Sequence, residues 1–479
     1  MSQSLKRNII KSVFFPLAFK TQMQTLLNAN EYALFEKSYE TKASSSIRLN
    51  KAKYGSTTNL SKVPWAKSGH YLEERPVFTL DPLFHAGMYY VQEASSMFLE
   101  QAFVQHVDLT SDLNVLDLCA APGGKSTHIL SLINTNSLLV SNEVIKSRAY
   151  ILKENIQKWG CGNVVVTNSD PERFSGLSNF FDLMVIDAPC SGEGLFRKDE
   201  NAMTEWSLEN VQLCAARQQR IVADVWEALK PCGILVYSTC TFNKKEDEEN
   251  LDWMLKNFEA ETLPLELKEE WGIVEVRTEL GGIGYKFFPH KTKGEGFFIT
   301  VLRKKSSSEN HSKTKKQKNP FTFLSKETEA FMEGWLKVDT QLKKVLFGKQ
   351  VLGLLSNKME AIVTLTNHLH IISCGLEIAE LKKKNSIPLP ALALSVDLNT
   401  EAFPIVDIEY KEALHFLARE NFEVELPDGD WILVTYKNHT LGWLKKINNR
   451  FNNYYPVDWR IRMNVTAVDV ASERNSLFL

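Results

Sequence analysis

Two cysteines, Cys190 and Cys240, are placed where a thiol could do covalent chemistry. Each follows an apolar segment with the pattern of a buried strand, residues 181–186 before Cys190 and residues 234–237 before Cys240. In crossover α/β folds the carboxyl ends of parallel strands meet at one edge of the sheet, where ligands bind. One thiolate there could attack an electron-poor ring, and a second thiol beside it could transfer a proton.

A glycine-containing turn follows an earlier apolar segment, residues 115–118, and could hold a ligand. The turn has the sequence Cys119-Ala120-Ala121-Pro122-Gly123-Gly124-Lys125-Ser126. Glycines between a strand and a helix let the backbone approach a ligand closely, and the helix N-terminus favours negative charge. The spacing is not that of dinucleotide-binding folds, and it is not a P-loop either, because Cys119 occupies the position of the first P-loop glycine. By itself the turn is weak evidence.

Three acids strengthen the case for a ligand at this edge. Glu143, Asp170 and Asp187 end the second, third and fourth apolar segments of the region. A carboxylate after the second segment could accept hydrogen bonds from ribose hydroxyls, and one after the third could meet an adenine edge. Each acid alone would be a surface residue by default. Together with the turn they favour a nucleoside-bearing ligand.

These residues need a parallel sheet to bring them together. Residues 115–118, 137–141 and 163–167 are predicted strands, and the two cysteine-bearing segments are the fourth and fifth. The usual strand order of such sheets, 3-2-1-4-5, makes the fourth and fifth strands neighbours, about 4.8 Å apart. Between them, Ser207 is a predicted N-cap of an amphipathic helix that buries Cys214.

Composition excludes several classes of protein. The chain has 479 residues, 44% hydrophobic and 24% charged, as in ordinary globular proteins. No apolar run reaches the roughly 18 residues that a membrane helix needs, and no signal peptide is evident, so we expect a cytoplasmic protein. Seven cysteines without a Cys-x-x-Cys pair argue against a disulfide framework or a zinc site, so no metal is expected.

Charge is segregated along the chain despite a net charge of −2. Residues 1–70 carry eleven Lys/Arg against three Glu, and residues 303–318 carry seven Lys/Arg against one Glu. This distribution suits a polyanion on selected faces. Solvated faces and a flexible linker would explain it equally well.

Five regions are predicted from pattern and composition. They are a basic N-terminal domain (1–74), a strand–helix alternating domain (75–305), a flexible basic linker (306–319), a separate unit (320–390) and a C-terminal unit of short strands (391–479).

The motifs together resemble the Nol/Nop/Sun group of RNA 5-methylcytosine methyltransferases, over roughly residues 20–303. The resemblance rests on residues 117–125, 187–192 (Asp-Ala-Pro-Cys-Ser-Gly), 237–240 (Tyr-Ser-Thr-Cys), 289–290 and 296–298, with residues 47–50 and 92–96 upstream. It implies a Rossmann-like S-adenosylmethionine-dependent methyltransferase domain of α/β class. A small α+β N-terminal RNA-binding domain would precede it, and C-terminal α+β and PUA-like β domains would follow.

The resemblance also assigns roles. It implies S-adenosylmethionine as cofactor, with Glu143 at the ribose and Asp170 at the adenine. The implied donor site is Cys119, Ala120, Ala121, Pro122, Gly123, Gly124, Lys125, Glu143, Arg148, Asp170 and Asp187. Cys240 would be the nucleophile and Cys190 the thiol that resolves the adduct; spacing alone does not say which thiol attacks. For Lys125, also a candidate catalytic group, and for Arg148, a solvated surface role is equally consistent with the sequence.

Such chemistry fits cytosine, whose carbon 5 is too electron-poor to be methylated directly. A thiolate added at carbon 6 makes carbon 5 nucleophilic, and an acid near ring nitrogen 3, for which Asp187 is placed, would stabilise the developing charge. A base must then remove the carbon 5 proton. The target base must also be unstacked, which RNA loops offer at least cost.

Five basic residues are candidates for RNA contact. Arg48 and Lys51 lie in the basic N-terminal region, and Lys445, Lys446 and Arg450 lie among aromatic and asparagine residues near the C-terminus. That C-terminal stretch resembles the PUA-like end of bacterial members of the group that methylate small-subunit ribosomal RNA. An ordinary small barrel core that buries Trp443 and Tyr454 is the plainer alternative.

We therefore expect a monomeric RNA cytosine-C5 methyltransferase whose substrate is 16S rRNA in a small-subunit particle. A tRNA cytosine-C5 methyltransferase with the same chemistry is the first alternative. A non-catalytic ribosome-assembly factor that binds RNA is the second, although a pure binder would need neither cysteine.

Overall fold

The computed structural model describes residues 15–55, 58–305, 317–382, 386–448 and 450–465. In these residues the helices are α1 (Leu17–Leu26), α2 (Ala29–Ser38), α3 (Pro82–His85), α4 (Leu99–His106), α5 (Gly124–Leu132), α6 (Lys146–Trp159), α7 (Glu200–Glu205), α8 (Leu208–Val225), α9 (Glu248–Asn257), α10 (Lys326–Phe331), α11 (Met359–His368), α12 (Pro390–Ala393) and α13 (Tyr410–Ala418). Residues 306–316 of the predicted linker (306–319) lie outside the described residues.

The strands of the same residues form four sheets. They are β1 (Ser45–Leu49), β2 (Gly69–Leu72), β3 (Tyr89–Val91), β4 (Asn114–Asp117), β5 (Leu138–Asn142), β6 (Val164–Thr167), β7 (Phe181–Asp187), β8 (Leu229–Thr239), β9 (Ala260–Thr262), β10 (Val274–Arg277), β11 (Ile283–Phe287), β12 (Phe297–Lys304), β13 (Leu342–Phe347), β14 (Gln350–Leu355), β15 (Ile371–Cys374), β16 (Leu376–Leu381), β17 (Ser386–Pro388), β18 (Ile405–Asp407), β19 (Trp431–Tyr436), β20 (His439–Ile447) and β21 (Arg450–Asn453).

The largest sheet has the order β10-β11-β12-β8-β7-β4-β5-β6-β15, with β9 beside β12. Its five central strands, from β6 to β8, are parallel. They are the five predicted strands in the predicted order 3-2-1-4-5, which confirms the α/β fold class. The antiparallel strands at both ends of the sheet were not predicted.

Both faces of this sheet are buried, as apolar runs in every central strand require. Val115 and Val185 point into the core on one face, under α4, α5 and α6. Their chain neighbours Leu116 and Met184 point into the other core, under α8, α9 and α11. The predicted cap of α8 is confirmed, because the Ser207 side chain accepts a hydrogen bond from the Asn210 amide.

The N-terminal unit is longer than predicted. Its sheet has the order β2-β1-β3, so the unit reaches Val91 rather than residue 74. Helices α1 and α2 reach across to the cysteine-bearing loops. The ring of Phe35 packs edge-on against Phe242 at 5.4 Å, and that of Phe19 against Trp206 at 5.6 Å. The first helices therefore cover the loop that follows Cys240.

The strands of region 320–390 belong to two sheets. Strand β15 pairs with β6 and so extends the large sheet, while β13, β14, β16 and β17 form a sheet of their own. The C-terminal unit contains the predicted strands and also a helix, α13, which was not predicted. It shares a core with the N-terminal unit, in which Ile432 and Leu414 pack with Ile47 and Leu83.

Candidate active site

The two predicted cysteines meet at the carboxyl edge of the sheet. Strands β7 and β8 are parallel neighbours with Asp187 opposite Ser238, so the loops after them leave the sheet side by side. The Sγ atoms of Cys190 and Cys240 lie 2.9 Å apart, and the amide N–H of Cys240 donates to Cys190 Sγ at 3.3 Å. Both residues are half-buried. The predicted proximity of the two thiols is confirmed.

The two thiols are not equivalent. The pKa of Cys190 is raised well above its usual range, first by its hydrogen bond to Cys240 and then by burial and the nearby charge of Glu246. The N–H that Cys190 accepts acts in the opposite direction but is the weaker influence. Cys190 therefore holds its proton more tightly than a free thiol does.

Asp187 and Lys125 form an ion pair beside the thiols. Lys125 Nζ lies 2.7 Å from Asp187 Oδ2, with the lysine side chain about nine-tenths buried. Ser238 Oγ donates to the other oxygen, Oδ1, at 2.8 Å. The ring of Phe297 lies under the ammonium group, 5.2 Å from Nζ. The sequence motifs 237–240 and 296–298 contain Ser238 and Phe297, but the sequence analysis gave neither residue a role.

Three side chains, two from α6 and one from the N-terminal unit, hold the glycine turn in place. Gly123 has φ +117°, a left-handed conformation that side chains other than glycine's rarely adopt, at the start of α5. From α6, Arg148 donates to the Ala121 carbonyl at 2.8 Å and Asn155 to the Pro122 carbonyl at 2.8 Å. From the N-terminal unit, Arg48 donates to the Gly124 carbonyl at 3.4 Å.

Asp117, at the end of β4 beneath this turn, is fully buried. Ser126 Oγ donates to its Oδ2 at 2.6 Å, while Oδ1 has no hydrogen-bond partner among the described residues. Burial raises the pKa of this carboxyl to about 7. A buried oxygen without a partner at a ligand-binding edge is the kind that a bound cationic group would satisfy.

The remaining predicted acids lie along the same edge. Glu143 is buried one residue after β5; its Oε1 accepts from the Ile145 amide at 2.9 Å, and its Oε2 lies 3.4 Å from Arg148. Asp170 is exposed after β6, and its side chain accepts from the Glu172 amide at 3.1 Å. Glu143, Asp170 and Asp187 therefore follow three strands of one sheet, as their spacing predicted.

A buried polar network behind the thiols was missed from the sequence. Glu193 accepts from Thr241 Oγ1 at 2.7 Å and from the Phe242 amide at 2.9 Å, in the loop after Cys240. Glu246 accepts from the Ser191 amide at 3.1 Å, in the loop after Cys190. Asn243 donates to Glu246 at 2.8 Å. Their closeness to the two cysteines in sequence was the available signal.

Arg48 is not an RNA-binding residue, which corrects the prediction. It is 0% exposed, so it cannot reach a phosphate. Its guanidinium donates to Gln92 at 2.8 Å, Thr127 at 2.5 Å and Ser131 at 3.0 Å, and it stacks on Trp159 at 4.4 Å. Arg48 instead joins the N-terminal unit to the start of α5.

The other predicted RNA contacts lie at or near the surface. Lys51 is exposed, as is Arg450, and Lys445 and Lys446 are half-buried. Lys445 Nζ lies 5.3 Å from the centre of the Trp431 ring, and Lys446 donates to the Pro427 carbonyl at 3.0 Å.

Trp443 is buried but Tyr454 is only half-buried, so the barrel-core alternative holds for the first of the two alone. In the part of the chain that the structure describes, no helix has the length and apolar character to cross a membrane. Nor do three or more His, Cys, Asp or Glu side chains come together there as a metal site would require.

Three family models match successive parts of the chain. They are 16S rRNA methyltransferase RsmB/F over residues 104–303, the N-terminal domain of 16S rRNA methyltransferase RsmF over residues 15–94, and the methyltransferase RsmF PUA domain over residues 403–461. The PUA match supports the expectation for the C-terminal unit.

Relatives match over nearly the whole length. The ribosomal RNA small subunit methyltransferase F of Erwinia tasmaniensis is 32% identical over 93% of this chain and 96% of its own. That of Escherichia fergusonii is 31% identical over the same shares. A solved methyltransferase homologue from Pyrococcus horikoshii, 28% identical, superposes with a TM-score of 0.51 over 60% of this chain and 94% of its own. The chain therefore belongs to the RsmB/F family of 16S rRNA methyltransferases, among its small subunit methyltransferase F members.

Proposed function

We propose that this protein is an S-adenosylmethionine-dependent RNA cytosine-C5 methyltransferase that forms 5-methylcytosine in 16S rRNA of the small ribosomal subunit. One observation carries the proposal: two thiols lie 2.9 Å apart, beside the Lys125–Asp187 pair and the edge that bears the glycine turn. A methyltransferase that acted on a nitrogen or oxygen atom would need no second thiol, whereas methylation of carbon 5 needs a nucleophile and a base.

The edge of the sheet fits the methyl donor. The residues that would hold it are Cys119, Ala120, Ala121, Pro122, Gly123, Gly124, Lys125, Glu143, Arg148, Asp170 and Asp187, with Asp117 beneath the turn. Glu143 would bind the ribose, Asp170 the adenine and the turn the methionine portion. The partnerless Asp117 oxygen supports the fit, because it favours a positively charged ligand above it. When bound, S-adenosylmethionine would supply a methyl group on a positively charged sulfur.

Cys240 would begin the reaction by attacking carbon 6 of the cytosine. The sulfur–carbon bond forms as the 5,6 double bond gives up its electron pair, which makes carbon 5 nucleophilic. Asp187, held by Lys125 and Ser238, would give a proton to ring nitrogen 3 as negative charge develops there and take it back when the 5,6 double bond is restored. Lys125 would keep the Asp187 side chain directed at the base.

Cys190 would complete the reaction. After carbon 5 has gained its methyl group, the Cys190 thiolate would take the carbon 5 proton, and the electrons of that bond would restore the double bond and expel Cys240. The 2.9 Å separation of the sulfurs allows both to reach adjacent ring carbons. Without Cys190, the protein would stay bonded to the RNA.

The target cytosine would have to leave its stack to reach the thiols. Lys51, Lys445, Lys446 and Arg450 would hold the flanking phosphates, since basic side chains supply most of the affinity for RNA backbones. We propose that the substrate is presented in a small-subunit particle in the cytoplasm, and that the protein acts as a monomer.

Bisulfite sequencing of 16S rRNA and tRNA from a strain without the gene tests the proposal. A cytosine of 16S rRNA should lose its methyl group, and a copy of the gene should restore it while a Cys240→Ala copy should not. Loss of a tRNA mark with 16S rRNA intact would support the tRNA alternative instead. If all marks remain, the protein acts as an assembly factor and the proposal is wrong.

A further inference from the structure

Glu246 is a buried acid that holds both neighbours of Cys190. Its carboxyl accepts the Ser191 amide N–H at 3.1 Å and the Gln218 side-chain amide at 2.7 Å. The same Gln218 nitrogen lies 3.0 Å from the Pro189 carbonyl. The residues before and after Cys190 are therefore tied, directly or through Gln218, to one carboxyl group.

Asn243 is the third group that binds Glu246. Its amide nitrogen donates to Glu246 at 2.8 Å and to Thr241 Oγ1 at 2.6 Å, and its amide oxygen accepts the Glu246 backbone N–H at 2.8 Å. Donor groups thus surround the carboxyl. Burial raises the pKa of Glu246, and these donors act against burial by favouring the charged form.

The charges around the thiol pair are asymmetric. Within the described residues, no lysine, arginine or histidine is ion-paired with Glu246, whereas Lys125 pairs with Asp187 at 2.7 Å. Glu193 likewise has no ion pair among the described residues, but it accepts from Thr241 and Phe242 in the loop after Cys240 and from Gln22 and Trp206. The hydrogen bond to Cys240 is the main influence that raises the pKa of Cys190, and the negative charge of Glu246 raises it further.

We propose that Glu246 is a positioning residue that keeps a proton on Cys190 until Cys240 has reacted, and so sets the order in which the two thiols act. Its role in catalysis rests on the proposed function. Cys240 loses its proton to water and attacks as the thiolate, while Cys190 remains a thiol.

The same arrangement explains how Cys190 later becomes a base. When the Cys240 sulfur has bonded to carbon 6, it is a neutral thioether and no longer a thiolate. The strongest influence that raises the pKa of Cys190 is then gone, so Cys190 can release its proton to water. The resulting thiolate takes the carbon 5 proton, and the bond from carbon 6 to Cys240 breaks. Glu246 stays outside contact with the substrate throughout.

Alkylation of the free protein tests the order without RNA. Iodoacetamide would be applied across a range of pH, and the modification of Cys190 and Cys240 quantified separately by peptide mass spectrometry. In the native protein, Cys240 should react first. In Glu246→Gln, which lacks the charge, the midpoint for Cys190 should move down by about one pH unit, a change of about tenfold in its rate at fixed pH.

Two comparison variants separate charge from packing. Glu246→Asp keeps the charge and should keep the native order of alkylation. Glu249→Gln removes an exposed acid that pairs with Lys245 at 2.7 Å, and it should leave both thiols unchanged. An unaltered ratio of Cys190 to Cys240 modification in a folded Glu246→Gln protein would overturn the proposal. Faster alkylation of Cys190 than of Cys240 in the native protein would overturn it without any variant.

A second readout uses the reaction itself. The rate constant for single-turnover methylation of a 16S rRNA fragment should fall in Glu246→Gln, while the KM for RNA, measured at steady state, should be unchanged. Glu246→Asp should recover much of the rate. If the native protein methylates no RNA, the proposed function is wrong. The alkylation experiment uses no RNA, so it still tests the order of the two thiols independently. Equal rates in Glu246→Gln and the native protein at every pH would reject the role of Glu246 in catalysis.

Discussion

The ammonium nitrogen of Lys125 lies 2.7 Å from Asp187 Oδ2, and this contact joins two elements that are separated in sequence. Lys125 lies in the first turn of α5, which starts at Gly124, and Asp187 ends β7 just before the Cys190 loop. Since β4 and β7 are parallel neighbours, the turn and the loop leave the sheet side by side. The pair therefore lies where the proposed site for the methyl donor would meet the proposed site for the cytosine.

Asp187→Asn should slow methyl transfer by about 10²- to 10³-fold, because asparagine cannot give a proton to ring nitrogen 3 as negative charge develops there. The Ser238 hydrogen bond to Oδ1 can be kept by the amide oxygen, so the fold should be unchanged. Single-turnover methylation at saturating RNA measures the loss. A matched control is Asp182→Asn at the amino end of the same strand, which breaks the 2.6 Å pair with Lys230. A similar loss in both variants would mean that β7 is merely destabilised.

Cys240→Ala should abolish methylation and adduct formation, while binding of the donor changes little. The nucleophile is then absent, but none of the turn residues is touched. Equilibrium dialysis with labelled donor, together with methyl transfer to RNA, measures both properties. Cys232→Ala, at an exposed thiol near the amino end of β8, is the control and should retain full activity. Turnover in Cys240→Ala would show that another group attacks the ring.

Cys190→Ala should accumulate a covalent protein–RNA adduct. Attack by Cys240 and methyl transfer remain possible, but no thiolate takes the carbon 5 proton, so the sulfur–carbon bond persists. The adduct would appear as a slower band on a denaturing gel, and the double variant with Cys240→Ala should not form it. Absence of the band with turnover intact would remove Cys190 from the mechanism.

The central sheet and the two-thiol pair could be predicted because each depends on local patterns. Apolar segments with turn residues between them define the strands, and the crossover rule then places Cys190 beside Cys240. Strand β15 could not be predicted, since its pairing with β6 joins residues that are distant in the chain. The RNA-binding role predicted for Arg48 was wrong for a similar reason. Basic residues are exposed by default, and the burial of Arg48 depends on Gln92, Thr127 and Trp159, which are distant from it in the chain.

Arg48→Lys should lower both the stability of the protein and its affinity for the methyl donor. Lysine keeps the charge but cannot replace the guanidinium bonds to Gln92, Thr127 and Ser131. Buried partners left without a donor should cost about 3 kcal/mol of unfolding free energy, measured by urea denaturation. Donor affinity should fall because the bond to the Gly124 carbonyl is lost. Lys51→Ala, at an exposed neighbour, should change neither the unfolding free energy nor the donor affinity. An effect as large as that of Arg48→Lys would contradict the role of Arg48 in joining the N-terminal unit to α5.

Binding of the methyl donor should strengthen as pH rises through about 7. Burial raises the pKa of Asp117 to about 7, so the carboxyl is protonated below that pH and charged above it. A cationic ligand favours the charged form, and the apparent dissociation constant should be about tenfold larger at one pH unit below 7 than well above it. The same group should destabilise the free protein as pH rises, since the buried charge then lacks a partner. Titration calorimetry with Asp117→Asn, which should show no such pH dependence, checks the assignment.

Lys51 and Lys67 should contribute to RNA affinity through phosphate contacts. Both are exposed, and burial lowers the pKa of Lys51, as do the charges of Lys67 and Lys62. Replacing Lys51 and Lys67 with alanine should weaken RNA binding and reduce the slope of log affinity against log salt by about 1.4, or about 0.7 for each lysine. The control replaces exposed Lys337 and Lys349 of the region that contains β13 and β14. Filter binding at several salt concentrations measures both slopes, and equal slopes would place the RNA on another face.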